Sequence, residues 1–149
     1  MQNSAYLRPL MFLVVLLFIP LLFSLVTYLS GERFAKHVSL IGGVAAFALC
    51  VLLKPAFVHS GFAPITYSHK WIANPLINFS LSLDGLSFML VALTTFLLPL
   101  IIFTTYRKPI ENARAFYSLV LLMEFGLLGV FLASDGFLFY IFWELALIP

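Results

Sequence analysis

The run "LMFLVVLLFIPLLFSLVTYL", Leu10–Leu29, holds twenty residues without one charge. About 20 apolar residues are what a helix needs to cross about 30 Å of hydrocarbon. The run is too long for the apolar core of a signal peptide, and no A-x-A cleavage pattern follows it. It predicts a membrane-spanning helix. Pro20, inside it, takes the ordinary donor from the Leu16 carbonyl and predicts a kink.

Working outward, the whole chain has the same character. Of its 149 residues 63% are hydrophobic and 9% charged, and the mean hydropathy is +1.11. A soluble domain keeps about 25% charged residues, so most of this surface is predicted to face lipid. The net charge of +2 argues against a nucleic-acid partner. A second span is predicted over 38–53, where Gly42, Gly43, Ala45 and Ala46 suit close helix contact. A third is predicted over 86–105, broken by Pro99, and a fourth over 115–133. The expected fold is all-α and multi-pass.

The connections differ in kind. "SGERFAKH" (Ser30–His37) and "YRKPIENAR" (Tyr106–Arg114) are short, polar and basic. The stretch 54–85 is long, and its end alternates strictly. Ile77, Phe79, Leu81 and Leu83 point one way, and Asn78, Ser80, Ser82 and Asp84 the other. A period of two predicts a strand or hairpin over 77–84 on the membrane surface. Asn78-Phe79-Ser80 fits the glycosylation pattern, which is too common to carry weight. Asp84 and Asp135 stand where they would cap the following helices. Arg33, Lys36, Arg107, Lys108 and Arg114 collect on one side, and Arg8, Lys54 and Lys70 on the other. That bias predicts an outside N-terminus.

Two carboxylates fall within the apolar runs, Glu124 and Glu144. An acid at the centre of a span costs about 2.5–3.5 kcal/mol on insertion scales. Leu or Phe would carry no such cost. A carboxylate whose proton affinity depends on a movable cationic partner is a working part of a proton relay. Each acid can instead be a neutral group bonding a neighbouring helix. Gly126 and Gly129 near Glu124 suit close packing as well as chemistry. Tyr140, four residues before Glu144, shares its helix face and is either its hydrogen-bond partner or an interfacial aromatic. No lysine lies inside a span, so a complete relay needs helices beyond these.

From Phe137 to Ile148 the fifth run is only 12 residues, about 18 Å of helix. A span over 137–149 is incomplete, which predicts that the natural polypeptide continues past Pro149. Cys50 is alone, in an apolar run, and closes no intrachain disulfide. His37, His59 and His69 all lie outside the spans, so no histidine pair can ligate haem. No bound cofactor or metal is expected, and any redox centre belongs to other chains.

"GVFLASDGFLFYIFWELALIP" (Gly129–Pro149) closely resembles the fourth-to-fifth helix region of subunit M of the proton-pumping NADH-quinone oxidoreductases, respiratory complex I. Chain 4 is the mitochondrial counterpart. "LSLDGLSFMLVALTTFL" (Leu81–Leu97) resembles the start of the third helix of the same subunits. The resemblance implies an antiporter-like bundle with two inverted repeats, of which this chain is the N-terminal part. It implies a glutamate on the fifth helix, matched residue for residue by Glu144, that pairs with a lysine on the seventh helix and gates proton movement. Glu124 matches no defining position of the pattern. Glu111 falls near an acidic position of some relatives, and a solvated loop charge is the plainer reading.

The implied function is proton translocation coupled to electron transfer from NADH to quinone. NADH, flavin, iron-sulfur clusters and quinone belong to the whole complex. The implied partners are neighbouring antiporter-like membrane subunits and the lipid bilayer. The implied location is the energy-coupling membrane, in a bacterium the cytoplasmic (inner) membrane, with the N-terminus outside. Two competing readings are a related component of a multisubunit cation/proton antiporter and a small structural or assembly protein. In the latter, Glu144 only joins helices.

Overall fold

The computed structural model describes residues 3–59, 61, 63–72 and 77–149, with side chains from Leu10 onward. Arg8, counted in the charge bias, and 60, 62 and 73–76 of the long connection lie outside the described residues or side chains. The order is α1 (Asn3–Leu29), α2 (Glu32–His59), β1 (Ile65–Ile72), β2 (Ile77–Leu83), α3 (Gly85–Thr105), α4 (Ala113–Leu132) and α5 (Gly136–Leu147). Four of the helices, α1 to α4, are long and apolar enough to cross a membrane, and α5 is shorter. The architecture is a helical membrane bundle carrying one small antiparallel sheet.

The second helix extends beyond 38–53 at both ends. Gly31 takes a positive φ of 80°, which turns the chain back sharply after α1. Its carbonyl then accepts from the Ala35 N–H at 3.1 Å, so helix begins at once. Glu32, Arg33 and Lys36 therefore lie on the first turns of α2, not in a loop. At the other end the helix runs through Pro55 to His59. A proline costs one backbone bond and a local clash, and one turn from the end the helix has little more to lose. The apolar run alone marks only the hydrocarbon-facing middle of this helix.

The alternating stretch forms β2, and β1, whose place the pattern left undefined, pairs with it antiparallel from Ile65↔Leu83 to Ile72↔Ile77. Ser68 and Ser80 join their hydroxyls at 2.9 Å on the polar face. On the other face Leu81 and Leu83 are fully buried, in one core with Leu13, Leu16, Val91, Leu128, Leu132 and Leu138. The Ser134 N–H donates to the Ser80 carbonyl at 3.0 Å, tying the α4–α5 turn to the hairpin. The hairpin thus covers one end of the bundle.

The other end is polar and basic. Arg114 meets Glu32 at 3.4 Å, both half-exposed. Tyr106 bonds the His37 ring at 2.7 Å, and the Lys36 ammonium lies 4.6 Å from the Tyr106 ring centre. These contacts join the two basic connections across one face. Between the two ends, α4 packs against every other helix. The outer faces of α1, α2 and α3 carry exposed Leu22, Ile41, Leu52, Met89, Leu93 and Phe103. Side chains of this kind, ringing a bundle, are the surface lipid solvates.

Candidate functional site

Asp135 caps α5, accepting from the Phe137 N–H at 2.9 Å and the Leu138 N–H at 3.3 Å. Leu138 and Phe142 are the buried residues of α5, and the Phe142 ring stands edge-on to Phe125 of α4 at 5.3 Å. Gly126 and Gly129 make this approach possible. A Cβ on Gly129 would fall inside the Phe142 ring, and one on Gly126 would meet the Ala146 backbone at 2.9 Å. The small residues therefore fix which way α5 faces.

Glu144 points away from that contact. It lies two residues from Phe142, about 200° around the helix, and is exposed. Tyr140, 59% exposed, and Trp143, 49% exposed, share this open face. The Tyr140 hydroxyl is within electrostatic reach of the Glu144 carboxylate. The structure thus brings Tyr140 and Glu144 together on a face that no other described residue covers. An exposed carboxylate at this depth in hydrocarbon would be expensive, so this face suits a helix-to-helix contact carrying a polar or cationic partner.

Glu124 is placed quite differently. It sits on α4, 0% exposed, and neither carboxyl oxygen has a hydrogen-bond partner. It is eleven residues from Ala113 and eight from Leu132, so about 16 Å from one end of the helix and about 12 Å from the other. Gly126 and Ala146 are level across α4 and α5, so Glu124 and Glu144 differ in depth by only about 6 Å. They nevertheless face opposite sides of the α4–α5 contact and do not form a pair. Glu111 is exposed in the basic loop. Two features escaped the sequence reading. One is a Ser24–Ser118 pair at 3.0 Å joining α1 to α4. The other is the complete burial of Glu124. Hydroxyls inside apolar runs were the available signal for the first.

Asp84 caps α3, taking the Ser87 N–H at 2.8 Å. That backbone bond holds its carboxyl below the ordinary aspartate range. The cap fixes where the hairpin ends and α3 begins.

A multi-pass membrane bundle with one acid sealed inside it and another on an open helix face belongs to the class of membrane proteins that handle charge within the bilayer. No family model matches the chain. It is 34% identical over 91% of its length to F(420)H(2) dehydrogenase subunit M of Methanosarcina mazei. It is 34% identical over 92% of its length to NAD(P)H-quinone oxidoreductase chain 4 3 of Trichormus variabilis, and 29% identical over 93% to NADH-quinone oxidoreductase subunit M of Buchnera aphidicola. The chain belongs to this subunit M / chain 4 family of complex I. It spans 28%, 26% and 30% of those three relatives.

Proposed function

We propose that this chain is part of a proton-translocating membrane subunit of an NADH:quinone oxidoreductase. Electron transfer from NADH to quinone takes place on other subunits, which hold the flavin, iron-sulfur clusters and quinone. The observation that carries this reading is Glu144, a carboxylate on the open face of an otherwise apolar helix, in a chain of the subunit M family. Its proton affinity responds to whatever cation covers that face. A lysine brought up to Glu144 holds it ionised, and one drawn away lets it take a proton. Tyr140, one turn earlier, orients the carboxylate by hydrogen bonding.

The names of the relatives support the division of labour. One is named for F(420)H(2) and another for NAD(P)H, at the same 34% identity. A subunit that keeps its sequence while the donor changes is not where the donor reacts. The partners are then neighbouring membrane subunits of the complex and the bilayer. The basic end of the bundle, with Arg33, Lys36, Arg107, Lys108 and Arg114, faces the cytoplasm and the hairpin faces outside, as the positive-inside rule requires. In a bacterium the membrane is the inner one.

The test is Glu144→Gln in the assembled complex, reconstituted in vesicles with a pH-sensitive dye. Coupled proton movement is expected to fall to a small residue while the complex still assembles. Normal pumping by an assembled variant overturns the proposal.

A further inference from the structure

The contact between α3 and α4 is built in rungs. At the basic end Thr105 donates its hydroxyl to the Tyr117 hydroxyl at 3.3 Å. The next rung is apolar, with Ile102 and Leu98 of α3 in one core with Leu121 of α4. Positions 117, 121 and 124 share one face of α4, and 105, 102, 98 and 95 share one face of α3. The third rung therefore sets Glu124 level with Thr95. Both are fully buried.

That rung has a surplus of acceptors. Neither Glu124 oxygen has a partner. Pro99 lies inside α3 and has no N–H, so the Thr95 carbonyl lacks its usual donor four residues on. The Thr95 hydroxyl gives its proton to the Val91 carbonyl at 2.8 Å, and the Cys50 thiol of α2 lies against it. Two acceptors facing a dry interior without a donor between them are costly. A proton on Glu124, with water bridging to the Thr95 carbonyl, satisfies both. Among the described residues no lysine, arginine or histidine is available to do so, since all of them lie toward the helix ends or in the connections. From α1 and α5 the groups nearest this depth are apolar, Phe18 and Ala146.

The two ways out differ. Toward the hairpin, the next residues are Val91, Leu128 and Leu132, fully buried with Leu81 and Leu83. That side has no polar atom to lead water in. Toward the basic end stand the Thr105–Tyr117 pair, the Ser24–Ser118 pair and Thr27, whose buried hydroxyl is also without a partner. Only one apolar rung, at Leu121, separates these hydroxyls from Glu124.

From this arrangement we infer that Glu124 and the Pro99-released carbonyl of Thr95 form an internal proton-binding site, hydrated from the basic end of the bundle and sealed from the hairpin end. Protonation adds H⁺ from water to one carboxylate oxygen, and release returns it by the same route. The site is separate from the open face of α5. It rests on the bundle lying in a membrane and not on the role of Glu144.

The experiment is infrared difference spectroscopy on the assembled complex containing this chain, in H₂O and D₂O. A band of a protonated carboxyl group is expected that Glu124→Gln removes, Glu124→Asp shifts, and D₂O shifts. Leu121→Ala is expected to speed the D₂O shift, and Leu128→Ala to leave its rate unchanged. The two leucine variants keep the acid and decide the matter even where neither Glu124 variant assembles. A band unaffected by Glu124→Gln, a band that never shifts in D₂O, equal acceleration by both leucine variants, or loss of the band on adding sodium chloride each overturns the inference. The last would mean an alkali cation in place of a proton. None of these readouts depends on pumping, so the Glu144 proposal stands or falls separately.

Discussion

Gly126 and Ala146 meet backbone against backbone: a Cβ at Gly126 would stand 2.9 Å from the Ala146 Cα. Neither side can give way as a flexible side chain would. This contact holds α5 on α4 and turns Glu144 outward. Gly126→Val forces the two helices apart, at a cost of about 1–3 kcal/mol for overpacking a close contact. Gly136→Ala is the control, because a Cβ there meets nothing within 4 Å. Denaturant titration in detergent is expected to separate the two variants clearly. In the assembled complex Gly126→Val is also expected to impair proton movement, since it moves Glu144 without touching its chemistry.

How much of this was legible beforehand follows the physics of each feature. Spans depend on a sum of hydropathy over about 20 residues, and α1, α3 and α4 were readable for that reason. The ends of α2 were not, because Glu32 and Pro55 offend local rules that a turn at Gly31 and a helix end tolerate. The strand at Ile77–Leu83 announced itself by alternation. Its partner at Ile65–Ile72 did not, because "ITYSHKWI" places polar groups on both faces. Glu144 and Glu124 were both visible as acids in apolar runs. Only the packed bundle separates them, through Phe142 fixing one helix face and Leu121 aligning another. Facing direction is a property of tertiary contact, and a single helix does not encode it.

The cap at Asp84 predicts a pH effect with a definite sign. The Ser87 N–H stabilises the charged carboxyl and depresses its proton affinity in the folded state. A depressed value contributes stability above the unfolded-state value, about 3.9 for aspartate, and loses it as pH falls through the folded-state value. The cap is therefore intact at neutral pH and weakens in acid. Asp84→Ala is expected to cost about 0.5–1 kcal/mol at neutral pH, the low end for an exposed N-cap. Asp84→Asn keeps the cap and removes its pH dependence. Amide exchange at Ser87 and Phe88, followed from neutral to acidic pH in the three proteins, checks this.

The Arg114–Glu32 pair at 3.4 Å is half-exposed on both sides. Pairs of this kind contribute about 0–1 kcal/mol. Arg114 also lies 5.6 Å from the Tyr28 ring centre, so its removal costs more than the removal of Glu32 alone. Arg114→Ala is expected to lower unfolding stability slightly, and Glu32→Gln by less. Both effects should shrink in high salt. A loss of several kcal/mol from either would mean the basic end is buried in the assembled protein.

Tyr140 and Glu144 share one face of α5, and their separate contributions can be divided. If Tyr140 only orients the carboxylate, Tyr140→Phe leaves the proton-carrying group in place and costs a hydrogen bond to a charged acceptor, about 1.5–3 kcal/mol at most. Glu144→Gln removes the group itself. The expected order in vesicle assays is therefore wild type, then Tyr140→Phe with reduced movement, then Glu144→Gln with nearly none. The double variant should be no worse than Glu144→Gln alone, because a residue acting through another adds nothing once the other is gone. A Tyr140→Phe variant as inactive as Glu144→Gln would make the hydroxyl itself a proton carrier. One indistinguishable from wild type would leave Tyr140 as an interfacial aromatic and place the orienting of Glu144 on the partner that covers α5.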